Sequence, residues 1–383
     1  MRGSTWPEPA PYDPSQPSQS PTVHLDWAIT RPVRNRRAAP SRSVHASGTT
    51  SGGRPRRPAV GGGSAVNAHS IDWLHFADHG RLGTPACFPY GSRMDLDLGV
   101  LFNTDRMSGT ELVTFARRLE QAGIGSMWLA ELFGREPFAA AGALLASTET
   151  LRVGTAIANV YARDATAAAA ASTTLAELSG DRFELGLGVS NRGLNEMRGH
   201  TWTPPVTRMT AYLAAVRSAR ITVPGAGTEA PRYPIWVAAH GPKMLEAAAT
   251  GADGIFTYLM TPEHTERTAT ALPEGVGVSP MMMCLLCPDP AEARRLARRA
   301  IAFYMDLDYY HRAWRKLGFD DGDFDGGGSD RLVDAIVAWG SIDDIRSRIE
   351  AQHEAGASQV VIIPLNPAGG TEPDWTLLDH LAG

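Results

Sequence analysis

Cysteine, lysine and long apolar runs are all scarce in this chain of 383 residues. Three cysteines, Cys87, Cys284 and Cys287, are too few for a disulfide framework, and a reducing cytoplasm suits them. No apolar run reaches the roughly 18 residues that a membrane span requires, and the paired arginines near the start are not followed by a hydrophobic stretch, so neither a membrane anchor nor an export signal is expected. Only Lys243 and Lys316 are lysines among 36 basic residues, a bias that fits a GC-rich genome. No H-x-x-x-H or carboxylate–histidine spacing reads as a metal site, and the serine elbow G-x-S-x-G is missing. Without metal, triad or activated nucleophile, demanding chemistry would have to come from a bound cofactor.

What is present falls into two parts. Residues 1–93 hold twelve of the 27 prolines and eleven arginines against five acidic residues, a formal +6; the remainder is therefore −11. The first part has no sustained apolar periodicity, and such a composition cannot offset its ordering entropy, so disorder is expected. Arg34–Arg37 and Arg54–Arg57 could touch nucleic acid, but a solvated tail, or upstream sequence with Met94 the real first residue, fits better. The acidic balance of residues 94–383 argues against general nucleic-acid binding.

From Met94 onward, strand and helix alternate. Strands are expected at Asp95–Phe102, Ser126–Glu131, Leu151–Ala158, Arg182–Val189, Pro234–Ala239, Gly254–Leu259, Val276–Leu286 and Gln359–Pro364. Helices are expected between them, the later ones at Pro290–Met305, Asp330–Trp339 and Ile342–Ala355. Eight strands in about 290 residues point to a closed (β/α)8 barrel of the TIM type, with an open doubly wound sheet as the alternative; the missing early G-x-G-x-x-G favours the barrel.

In such a barrel, function gathers at the carboxyl ends of the strands. Glu131 follows the apolar Met127–Ala130 and reads either as a proton donor or acceptor, or as the partner of Arg163 or Arg135. Ala239-His240-Gly241 joins a strand to a helix start, and Val189-Ser190-Asn191 offers a similar loop; helix N-termini favour anions, so both are candidate phosphate cradles. Of six histidines in this part, His240 is best placed; His264, His353 and His380 read as surface residues. Cys284-Leu285-Leu286-Cys287 matches C-x-x-C, though buried free thiols suit an apolar strand end better than zinc or redox work. The aromatic segments 197–205 and 305–328 read as lids over an apolar pocket, or as packing of an insertion onto the barrel.

The run VGTAIANVYARDATAAAAASTTLAELSGDRFELGLGVS, with RMTAYLAAV, WVAAHGPKMLEAAATGADGIF, GGGSDRLVDAIVAWGS and AGASQVVI, resembles the bacterial luciferase-like flavin and deazaflavin oxidoreductases. The branch it resembles is the actinobacterial coenzyme F420-dependent group. The resemblance spans residues 94–365 and implies a (β/α)8 barrel, a cytoplasmic homodimer, a small-molecule substrate, and coenzyme F420 as cofactor, with FMN as the alternative. It also implies a non-proline cis peptide at Ala156-Ile157 backing the cofactor ring. By the same resemblance Asn159 and Tyr161 lie near that ring, the phosphate rests on Ala239, His240, Gly241, Val189 and Ser190, and Glu131 matches an acidic residue near the ring; Glu131 or His240 is the candidate proton partner. The chain departs from sugar-phosphate-oxidising relatives at Leu132 and Arg192, where they carry His and Glu, and lacks their lysines. Asn191 also stands where close relatives carry His. A degenerate barrel that holds the cofactor without turnover is the reading those departures keep open.

Overall fold

The computed structural model describes residues 97–221, 233–370 and 372–382, so the tail expectation for residues 1–93 lies outside the described part. Ten strands alternate with helices: β1 (Leu98–Leu101), β2 (Ser126–Leu129), β3 (Arg152–Thr155), β4 (Ala158–Asn159), β5 (Phe183–Gly188), β6 (Ile235–Ala238), β7 (Gly254–Tyr258), β8 (Gly277–Leu286), β9 (Val337–Gly340) and β10 (Val360–Leu365). Every pairing is parallel, in the order β1-β2-β3-β5-β6-β7-β8, and β10 pairs with both β8 and β1. That pairing closes an eight-stranded barrel, while β4 continues the path of β3 along β5. No helix among the described residues is long and apolar enough to cross a membrane.

Local sequence explains the helix boundaries. Ser108 and Glu111 form a capping box at the start of Gly109–Gln121. Asp164 caps Ala165–Ser179, whose end is Gly180 in the left-handed region (φ 65°). Outward residues such as Val100, Leu129, Val153, Leu187, Val237 and Ile362 pack under the helices. Across the middle of the barrel, Trp128, Trp236 and Phe256 meet at ring separations of 4.8–6.2 Å. Gly154 and Gly254 make room for the two indoles, since a Cβ at either would lie 2.3 or 2.2 Å from ring carbons.

Two expected elements end early. The helix expected over Asp330–Trp339 stops at Ile336, and Val337–Gly340 is β9, paired with β8 from Met283 to Leu286. β7 reaches only as far as Met281, and β10 holds the other edge of β8. The upper half of β8 would otherwise present unpaired backbone groups, and Val-Ala-Trp-Gly suits a strand better than a final helical turn. The helix expected over Pro290–Met305 ends at Ile301, with a short 3₁₀ turn at Tyr304–Asp306.

Candidate active site

The third barrel strand breaks where its chemistry begins. β3 stops at Thr155, the Ala156-Ile157 peptide is cis, and β4 resumes the pairing. Gly154 lies opposite Glu184, but Ala158 lies opposite Leu187, so this side carries one extra residue, a bulge. The Thr155 hydroxyl spans the gap: it accepts from the Gly186 N–H at 2.9 Å and donates to the Gly186 carbonyl at 2.7 Å. The bulge also dictates the facing glycines. A Cβ on Gly186 would sit 1.8 Å from the Thr155 carbonyl oxygen, and one on Gly188 would sit 2.4 Å from Ile157 Cγ1.

Glu131, just past β2, is buried beneath this bulge. Oε2 accepts from the Asn159 N–H (2.9 Å) and from Arg163 (2.8 Å); Oε1 accepts from Arg163 (3.1 Å) and Arg198 (3.3 Å). Four donors fill the roughly four acceptor positions of a carboxylate. The ion-pair reading is therefore what the structure shows, with Arg163 as partner rather than Arg135, which donates instead to the Thr104 and Met107 carbonyls. Asn159 passes the tie onward. Its Oδ1 accepts from the Tyr161 N–H, and its Nδ2 donates to Asn195, which in turn donates to the carbonyls of Val189 and Asn191. Sequence reasoning missed Thr155, Arg198 and Asn195; the trace of the last was an asparagine one helical turn after Asn191. Tyr161 faces the segment that follows β5: it stacks on Trp202 at 5.6 Å and its hydroxyl meets Thr203 Oγ1 at 2.9 Å.

The two expected cradles differ. After β5, Ser190 is left-handed (φ 56°), and Asn191 caps the six-residue helix Arg192–Met197 by accepting from the Leu194 N–H. After β6, the helix Pro242–Ala249 starts at Gly241 with no side-chain cap, and a Cβ on Gly241 would meet nothing within 4 Å. This second helix start is open, with the exposed Lys243 beside it.

His240 precedes that start, and its Nδ1 has no hydrogen-bond partner. Burial, reinforced by nearby His264, pushes its pKa down to about 3. His264 is not the surface residue expected: its ring lies 6.5 Å from that of His240, and its Nε2 is 3.4 Å from the His240 carbonyl. His353 is likewise half-buried, with Nδ1 against the Ala357 carbonyl at 3.2 Å. The segment from Tyr304 to Phe324 roofs this side. Tyr310 packs on His240 at 5.3 Å and on Tyr304 at 5.4 Å, while the Trp314 indole donates to the Leu259 carbonyl at 2.9 Å. Most of its aromatics are buried against one another, as the packing reading expects. Cys284 and Cys287 are buried free thiols, and burial raises Cys284 to about 12.

A cavity of about 430 Å³ opens at the ends of β1, β8 and β10. Leu101, Phe102, Ala130, Leu296, Ile363 and Leu365 make its apolar wall. Ala130 links it to the bulge, since its neighbour Leu129 accepts the Ala156 N–H at 2.7 Å.

The sequence and the fold match known proteins. The model of the luciferase-like monooxygenase family covers residues 87–359. The chain belongs to this family. Among its relatives, the 5,10-methylenetetrahydromethanopterin reductase of Methanolobus tindarius is 26% identical over 297 residues, 67% of this chain and 91% of its own. A Mycobacterium tuberculosis protein, provisionally named as a coenzyme F420-dependent oxidoreductase, is 26% identical over 332 residues, 71% of this chain and 95% of its own. Among solved luciferase-like barrels, the coenzyme F420-dependent tetrahydromethanopterin reductase of Methanopyrus kandleri aligns with a TM-score of 0.56 at 17% identity, covering 75% of this chain and 97% of that one. At that identity the likeness is one of fold.

Proposed function

We propose that this chain is an oxidoreductase that moves a hydride between coenzyme F420 and a small apolar or aromatic organic substrate. The observation that carries the reading is the Ala156-Ile157 bulge at the end of β3, whose Ala156 packs in one apolar cluster with Leu101 and Ile363 of the cavity wall, together with the uncapped helix start after β6. The names of the family relatives support F420 over other cofactors.

The residues present suit such a cofactor. Gly241 leaves open space before a helix start whose amides no side chain caps, and His240 Nδ1 is a polar atom without a partner. Ala156 and Ile157 would back the ring, with Asn159 and Tyr161 beside it. Ala239, His240 and Gly241 would hold the phosphate, with Val189, Ser190 and Asn191 as the second wall. When bound, the deazaflavin supplies a carbon that accepts or donates a hydride. The chain's own residues shape the rest. Glu131, its lone pairs already taken, acts as a positioning residue that holds Asn159 and the bulge. His240 stays neutral at working pH, so Nδ1 can give or take a hydrogen bond without charging the site. The Tyr304–Phe324 roof keeps water from this side. The proposal extends to a cytoplasmic homodimer: the family resemblance supports the dimer, and the two buried free thiols suit a reducing compartment.

Titration of the purified full chain with F420 and with FMN, followed by absorbance, tests the reading. Tight F420 binding and bleaching of its absorbance by a substrate panel are expected. Tighter FMN binding would replace it with an oxygen-using flavin monooxygenase, and binding without turnover would leave a cofactor-holding barrel.

A further inference from the structure

The cavity at the ends of β1, β8 and β10 is apolar on most sides but carries positive charge on one. Arg106, Arg295 and Arg299 line it, against Glu372 as its acidic residue. The chain as a whole is acidic, at −5, so this is a local feature. The helix Pro290–Ile301 presents its four arginines as two stripes, each spaced one turn apart. Arg294 and Arg298 are spent on carboxylates: Arg294 pairs with Asp334 at 2.6 Å and with Asp330 at 3.2 Å, and Arg298 pairs with Asp330. Arg295, on the cavity stripe, grips Glu292 at 2.6 Å. Arg299, one turn on, makes no hydrogen bond and no ion pair within 4 Å among the described residues, although its charge acts on nearby Glu292.

An exposed arginine on an amphipathic helix is ordinarily a solvated one. Arg299 differs in its surroundings, because it stands on the wall of a concave apolar cavity whose low-dielectric lining focuses its field. Its location also separates it from the proposed cofactor phosphate. In barrel order the open helix start follows β6 and the capped loop follows β5, whereas the cavity lies at β8, β10, β1 and the end of β2. The bulge after β3 stands between the two.

We infer that this cavity is the substrate site, and that it takes an apolar molecule bearing one anionic group, with Arg299 as the residue that recognises the anion. The guanidinium fork suits a planar carboxylate. The apolar body lies against Leu101, Phe102, Ala130 and Ile363, which directs it toward Ala156 and the bulge. That this site serves hydride transfer rests on the proposed function; the preference for an anion does not.

The test compares 4-phenylbutyrate with its neutral counterpart 4-phenylbutyramide by calorimetry, on the full chain with and without F420. The acid is expected to bind up to roughly tenfold tighter, as one charge-assisted contact at a solvent-reached arginine allows. Arg299→Ala should erase that preference, Arg299→Lys should keep part of it, and raised salt should shrink it because Arg299 is reached by solvent. F420 affinity should be the same in Arg299→Ala as in the parent. Equal binding of acid and amide by the parent, or a preference that survives Arg299→Ala, overturns the inference. So does an Arg299→Ala chain that loses F420 affinity, which would hand the arginine to the cofactor's own anionic end. If the acid preference depends on Arg299 while F420 never binds, the cavity assignment stands and the cofactor reading falls.

Discussion

The two ends of the barrel handle polar groups in opposite ways. At the amino-terminal end, Arg152 bridges Asp97 at 2.6 Å and Glu184 at 3.3 Å. Glu184 takes the Trp236 indole N–H at 2.6 Å, and Ser126 takes donors from both Trp128 and Gln359. At the carboxyl-terminal end, by contrast, His240 Nδ1 lacks a partner, a helix start is uncapped and Arg299 faces a cavity. Most of the named groups at one end are consumed in holding the fold, Gln359 Oε1 being left without a partner, while those at the other are kept available. This is the division expected of a barrel whose loops carry the chemistry. The bulge between β3 and β4 belongs to neither end cleanly. Its glycines and Thr155 are spent on structure, yet they shape the wall of the mouth.

The sharpest way to break the comparison is at the amino-terminal end. Arg152→Ala leaves buried Glu184 without its cation and should cost about 3 kcal/mol of stability, read as a lower denaturant midpoint. F420 affinity, measured under conditions where the variant is folded, should match the parent. A large loss of affinity with little loss of stability would show that the two ends are not separate.

A smaller effect on stability, and a larger one on binding, is expected where the ends meet. Thr155→Val keeps the shape but strips Gly186 of both hydrogen bonds, at a cost of about 2 kcal/mol for buried unpaired backbone groups. Because the bulge then loses its brace, F420 binding should weaken at least tenfold. If the variant loses stability but binds F420 as the parent does, Thr155 holds the fold and not the mouth.

How far the sequence revealed this division depended on scale. Alternating strands and helices were legible because buried parallel strands leave continuous apolar runs between helix caps. The position of the cis peptide followed from resemblance to a motif. Reading Leu151–Ala158 as one strand hid the extra residue, because periodicity in eight residues cannot register a one-residue offset. The choice between Arg163 and Arg135 for Glu131 was also illegible: both lie in loops near the same strand end, and only the chain path decides. His264 looked like a surface residue because nothing in the sequence places its helix against the loop after β6. Strand β9 was lost for a similar reason, since the need for it arises from an unfilled edge on β8.

The smallest expected effect separates the ends by acidity. His240 has its pKa pushed down to about 3 from an ordinary 6.5, and burial lowers His264 as well. Between those values the unfolded chain takes up a proton that the folded chain refuses. Stability contributed by His240 is therefore present above pH 6.5 and is lost as pH falls toward 3. Glu184 behaves oppositely, because burial raises its pKa above the ordinary 4.5 despite Arg152. Its folded form keeps a proton that the unfolded form releases, so its contribution is present below pH 4.5 and is lost as pH rises through the raised value. His240→Gln should flatten the acid limb of a stability-versus-pH curve while changing stability at pH 7.5 by about 1 kcal/mol or less. Glu184→Gln should act on the other limb. Urea unfolding from pH 4 to 8 would read both, and an acid limb as steep in His240→Gln as in the parent would mean that this ring titrates alike in the folded and unfolded chains, so that it charges below about pH 6.5 and is not the protected neutral Nδ1 proposed for the mouth.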